Sequence, residues 1–137
     1  MKIFVAGGTG AIGRPLIAEL LAKGHAPVAL TRSSEKAQAL MEQGIEPALA
    51  DVFDTDAVKA VVSRAQPEIV IEQLTALPRT YTRESLSAAA AFNSRIRLEG
   101  GAMCWQPRKR RVCGVTSGSR SHFGRFLVLD WQMKKRL

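Results

Sequence analysis

Cysteine is scarce in this chain: Cys104 and Cys113 are the only two in 137 residues. They supply neither a disulfide framework nor a metal-ligand set. Tyrosine occurs once, at Tyr81, and aromatic residues make up only 6% of the chain. No apolar run approaches the roughly 20 residues that cross a bilayer. The opening segment Met1–Ala6 is too short for the apolar region of a signal peptide and runs straight into glycines. A secreted, membrane-spanning or metal-built protein is disfavoured, and a cytoplasmic one is expected.

Acidic side chains are missing from one region only. Residues 1–99 hold 11 Lys+Arg and 11 Asp+Glu, whereas residues 100–137 hold 9 basic residues and a single acid, Asp130. The whole formal charge of +8 thus belongs to the last part of the chain. Alanine behaves in the opposite way, with 18 of 19 residues before position 100. Two compositions meet near Gly100-Gly101. Residues 1–101 are read as one domain half and residues 102–137 as a basic tail.

The first part alternates strand and helix. Lys2–Ala6 is a short apolar run stopped by glycines, the pattern of a buried strand. A helix is expected from Ala11 to Lys23, with Ile12, Leu16, Ile17, Leu20 and Leu21 on one face and Gly24 as its stop. Pro27–Leu30 reads as a second strand. Ser33 or Ser34 can cap a helix that ends at Gln43-Gly44. Glu46–Ala50 is a weak third strand, and Asp54 caps a helix over 55–65. Glu68–Ile71 opens a fourth strand. Strands separated by helices of this length imply right-handed crossovers and a parallel sheet. The fold class is α/β, a doubly wound parallel sheet of Rossmann type with strand order 3-2-1-4 and its later strands missing or garbled.

The turn after the first strand carries the clearest chemistry. Gly7-Gly8-Thr9-Gly10-Ala11-Ile12-Gly13 satisfies both G-x-x-G-x-x-G and, from Gly8, G-x-G-x-x-G. It leaves a predicted strand and enters a predicted helix, the context in which such a motif holds a dinucleotide pyrophosphate. Backbone N–H groups and the positive helix end would receive the phosphates. The end of the second strand then bears on which coenzyme is held. NAD sites place Asp or Glu there for the ribose 2′-hydroxyl. This chain has Thr31-Arg32-Ser33-Ser34, with no acid before Glu35. Arg32 can pair with a 2′-phosphate and Ser33 can donate to it. NADP is the expected cofactor, with NAD as the alternative.

With these residues in place, the chain resembles the extended or atypical short-chain dehydrogenases/reductases, the NAD(P)-dependent epimerase/dehydratase group. The resemblance covers about residues 1–101. It implies that Asp51-Val52 lies at the adenine ring, although Asp51 could instead cap the following helix. It implies that Ile69–Ala76, with Gln73, passes over the cofactor ribose, and it matches Asn93 and Gly100 in a long helix beyond. Ala6 departs from the pattern, since many members have Thr there. The implied cofactor-binding set is Gly7, Thr9, Gly10, Ala11, Ile12, Gly13, Thr31, Arg32, Ser33, Asp51, Val52 and Gln73.

The catalytic pair that the resemblance implies is absent. Family members carry a Tyr followed four residues later by Lys, which eases proton exchange with the substrate oxygen. Here Tyr81 is followed at that spacing by Ser85 and lies too early in the chain. His25 follows a helix-ending glycine, a structural position. No catalytic residue is assigned.

The tail admits two readings. In the first, residues 102–137 are a frame-shifted or disordered stretch. Taken one base earlier, Met103/Cys104 must encode Val, Cys104/Trp105 Leu and Trp105/Gln106 Ala. Allowed choices elsewhere give an alanine-rich helix, a Gly-Val turn and a strand ending in Ser. In the second, the basic residues with Trp105, Phe123, Phe126 and Trp131 form an arm for nucleic acid, although no standard nucleic-acid motif is present. Val112–Ser117 could also pass for a fifth strand. The expectation is the NAD(P)-binding part of an epimerase, dehydratase or reductase, with an NADP(H)-sensing module as the alternative. Self-association is expected through the open outer edge of the fourth strand.

Overall fold

The computed structural model describes residues 1–76, 78, 80–100 and 111–114. Its elements follow in the order β1 (Lys2–Ala6), α1 (Gly13–Ala22), β2 (Ala26–Thr31), α2 (Ser34–Glu42), β3 (Glu46–Leu49), α3 (Thr55–Ala65), β4 (Ile69–Glu72), α4 (Arg83–Arg95) and β5 (Arg111–Gly114). A π-helical segment, Ile96–Gly100, continues α4. The helix expected from Ala11 begins two residues later, at Gly13, because the glycine turn occupies the intervening backbone.

All strand pairs are parallel, in the order β3-β2-β1-β4-β5. The central strand β1 sends alternate side chains to opposite faces, as pleating demands. Phe4 and Ala6 join Val28, Leu30, Ala48 and Val70 beneath the α3 residues Val58, Val61, Val62 and Ala65. Ile3 and Val5 join Ala29 on the other face, against Ile17 of α1 and Leu40 of α2. Covering both faces explains why β1 and β2 read as nearly unbroken apolar runs. Pro47 falls in β3, at the sheet edge, where a missing N–H leaves no ladder bond unmade.

The structure corrects one expectation. The outer side of β4 is not open, because Arg111–Gly114 pairs along it in the register Ile69↔Arg111 to Glu72↔Gly114. Pairing takes up the backbone groups that an edge strand would have presented. Among the described residues the outermost strands of the sheet are therefore β3 and β5. The remaining readings of residues 102–137 lie outside the described residues. Among the described residues, no helix is long and apolar enough to cross a membrane.

Candidate nucleotide-binding site

Four connecting segments gather at the carboxyl ends of the strands. The glycine turn follows β1, Arg32-Ser33 follows β2, Asp51-Val52 follows β3, and Gln73 follows β4. From β1 the chain winds outward through β2 and β3, then returns to the far side of β1 as β4. That reversal opens the crevice in which ligands of doubly wound sheets bind.

The glycine turn is held by its own backbone. Gly10 N–H donates to the Gly7 carbonyl at 3.0 Å, and Arg14 N–H donates to the Gly10 carbonyl at 3.1 Å. A Cβ on Gly13 would run into the Gly7 oxygen and the Gly8 backbone, so helix and turn can meet this closely only without one. Gly10, Ala11 and Ile12 are exposed at the top of the turn, with Thr9 half-buried beside them. Arg14 reaches back to donate through Nε to the Thr9 carbonyl at 3.2 Å.

The helix starts differ in a telling way. Ser33 accepts from the Lys36 amide to cap α2, Asp54 accepts from Ala57 to cap α3, and Thr82 accepts from Ser85 to cap α4. At α1 the N-cap position is Ile12, and no side chain caps the helix. The first amides of an uncapped helix need another acceptor. Here Arg14 N–H is already bonded to the Gly10 carbonyl and Pro15 has no N–H, so among the described residues the amides without a backbone acceptor are those of Ala11, Ile12 and Gly13, and an anion suits both them and the dipole.

The ends of β2 and β3 are laced together. Ala50 N–H donates to the Thr31 carbonyl at 3.0 Å, which brings Asp51 alongside the β2 terminus. Thr31 is a buried polar residue in this fold, and its Oγ1 accepts from the Ser33 amide at 3.2 Å. Arg32 is exposed and has no ion-pair partner among the described residues. Asp51 does not cap α3, which is the work of Asp54. Instead its Oδ1 accepts from the Phe53 amide at 2.9 Å, leaving Oδ2 as the carboxylate's outward acceptor. Val52 packs partly against the core under α3.

Across the crevice, Gln73 N–H donates to the Ala6 carbonyl at 2.8 Å, holding the chain after β4 against the start of the glycine turn. Asn93 in α4 accepts the Ala76 amide at 3.1 Å and so steadies the same segment further along. Tyr81 stands exposed just before α4.

Sequence reading missed several neighbours of the site. A cavity of about 360 Å³ lies between α1 and α2, lined in part by Gly8, Thr9, Arg14 and Lys36. Lys36 sits one turn into α2, a spacing from Ser33 that could have drawn attention to it. Phe53 and Arg95 are a different matter. The Arg95 guanidinium lies 4.3 Å from the Phe53 ring centroid, and no local pattern joins residues so far apart in the chain.

Comparison with known proteins agrees with this geometry. The NAD(P)H-binding family matches residues 7–96. A Streptomyces 3-diazoavenalumate denitrifying reductase is 41% identical over 102 residues, which is 74% of this chain and 32% of that protein. The chain therefore spans about a third of the length of that relative. The UDP-glucose 4-epimerase of Thermus thermophilus, solved with NAD, superposes with a TM-score of 0.61 at 21% identity, over 76% of this chain and 32% of its own. A yeast methylglyoxal/isovaleraldehyde reductase solved with NADPH gives 0.59 at 20% identity, over the same 76% and 32%. At these identities the two structures establish a shared fold. From the family match, and from the glycine turn and crossover sheet that it covers, the chain belongs to the NAD(P)H-binding family, as a Rossmann-type NAD(P)-binding domain.

Proposed function

We propose that this domain holds NADP(H) at the carboxyl ends of β1 to β4 and serves as the coenzyme part of a reductase or epimerase. The uncapped start of α1 at the glycine turn carries this reading. There the amides at the head of α1, with Thr9, Gly10, Ala11 and Ile12 around them, receive the diphosphate. Gly7 and Gly13 let the backbone come close enough for that contact. Arg32 pairs with the 2′-phosphate, Ser33 donates its hydroxyl proton to the same group, and Thr31 fixes the Ser33 backbone. Asp51 and Val52 border the adenine, and Gln73 borders the ribose on the nicotinamide side. When bound, the nicotinamide ring supplies hydride exchange. The described residues contribute binding and orientation to it.

The tail fits the same reading as a frame-shifted continuation of the domain. The family match stops at residue 96, just before the composition changes. Coding DNA tests this directly: an open frame one base back supports it, and an early stop there refutes it.

The coenzyme assignment is tested by fluorescence titration of the full chain with NADPH and NADH. Tight NADPH binding is expected, and Arg32→Asp should weaken it well beyond its effect on NADH. Equal losses would refute the 2′-phosphate role, and no binding of either would refute the site.

A further inference from the structure

The loop at the end of β3 is short and shallow. Asp51 is exposed, and two bonds of its own hold it, from the Phe53 amide to Oδ1 at 2.9 Å and from the Asp54 amide to its carbonyl at 3.0 Å. Both bonds require the backbone at Phe53 to stay in place. The Phe53 side chain is only half-buried, yet it is gripped from α4. The Arg95 guanidinium lies over its face, 4.3 Å from the centroid, and the Phe92 ring tilts against it at 5.9 Å between centroids. Arg95 is in turn held by Glu99 one turn on, at 3.0 Å from Nε.

These contacts form one line of force, from Glu99 through Arg95 and the Phe53 ring to the Asp51 carboxylate. Helix α4 has no buried residue, so no core of its own anchors it over the sheet. Its described attachments run to the two segments that flank the crevice, through Arg95 and Phe92 to the loop after β3, and through Asn93 to the segment after Gln73.

We infer that Arg95 is a positioning residue for base recognition, fixing through the Phe53 ring the Asp51 carboxylate that reads the adenine 6-amino group. The inference rests on the placement of Asp51 at the adenine given above. A carboxylate with Oδ1 engaged presents Oδ2 as an acceptor, which suits an amino group and rejects an oxo group in the same place. An unclamped Phe53 would let the turn rotate and blunt that discrimination, while the diphosphate contacts at α1 stayed intact.

The test compares NADPH with its hypoxanthine counterpart, in which an oxo group replaces the 6-amino group. The full chain should bind NADPH about tenfold more tightly, as one well-aimed hydrogen bond to a charged acceptor allows. In Arg95→Met that ratio should fall to about threefold or less, the scale of a surface cation–π contact. Binding of the hypoxanthine form should hold nearly steady. Arg95→Lys, which keeps a cation over the ring, should restore most of the preference. Phe53→Leu, checked for a native circular dichroism spectrum, should reproduce the Arg95→Met result. An unchanged ratio in Arg95→Met and Phe53→Leu would overturn the inference and leave the Asp51 assignment standing. A native chain that binds both dinucleotides alike would overturn the Asp51 assignment, and the inference with it.

Discussion

The carbonyl of Gln73 lies where a side chain on Gly7 would have to go: a Cβ there would stand 2.5 Å from the oxygen. Gly7 also has φ +90, a backbone conformation that L side chains rarely adopt. The glycine turn and the segment after β4 therefore close on each other through bare backbone. Gly7→Ala must move Gln73 or the turn, and it must strain φ as well. A loss of about 3 kcal/mol is expected. For a domain of this size that is a fall of roughly 12–24 °C in Tm. Thermal melts followed by circular dichroism check it, and a loss below about 1 kcal/mol would mean that the turn yields easily.

Lys36 lines the cavity beside Thr9 and Arg14. If the 2′-phosphate is held at the β2 end, this second cation should strengthen its binding at short range. Lys36→Met is expected to weaken NADPH binding about three- to tenfold and to leave NADH unchanged. Titration at low and moderate salt measures it, and a loss shared by both coenzymes would place Lys36 at the diphosphate instead.

Asp54 caps α3 by accepting the Ala57 amide at 3.0 Å, and α3 carries Val58, Val61, Val62 and Ala65 into the larger core. Asp54→Ala should cost about 1 kcal/mol without altering coenzyme affinity, because the cap lies beyond the Asp51 turn. Val58 is fully buried in the same cluster. Val58→Ala should cost more, about 2 kcal/mol. Urea unfolding of the two variants ranks them, and the reverse order would mean that α3 is held more by its start than by its packing.

With β5 along β4, the outermost strands among the described residues are β3 and β5, and association through a sheet edge is expected there. The β3 side is blunted by Pro47 and by Glu46, whose carboxylate pairs with Lys2 at 2.7 Å. Glu46→Val should therefore increase self-association, measured by sedimentation velocity across a range of concentrations. A monomer at every concentration would show that the β3 edge does not drive it.

Much of the architecture was legible in single stretches of sequence. Asp54 capped the helix expected from it, over the residues expected, because a cap is a contact across three positions. Ser33 was one of two candidates for the α2 cap, and Thr31 Oγ1 decided for it by holding the Ser33 amide. The glycine turn was legible for the same local reason. Asp51 was ambiguous, since an acid before a helix can cap it or face a ligand; the structure gives the cap to Asp54 and the Phe53 amide to Asp51. The fifth strand was visible as a pattern but could not be assigned. Four residues declare themselves a strand only when a partner such as β4 pairs with them.

By itself, then, the sequence determined what depends on neighbours along the chain: the alternation of strands and helices, the caps, the glycine turn, and the strip of Thr31-Arg32-Ser33 without an acid. Tertiary structure alone decided the contacts between distant segments. It set Gln73 against Gly7, laid Arg95 over Phe53 and covered the flank of β4. The physical reason is range, because caps and turns are settled within a few residues, whereas close packing follows only after the sheet has brought remote segments together.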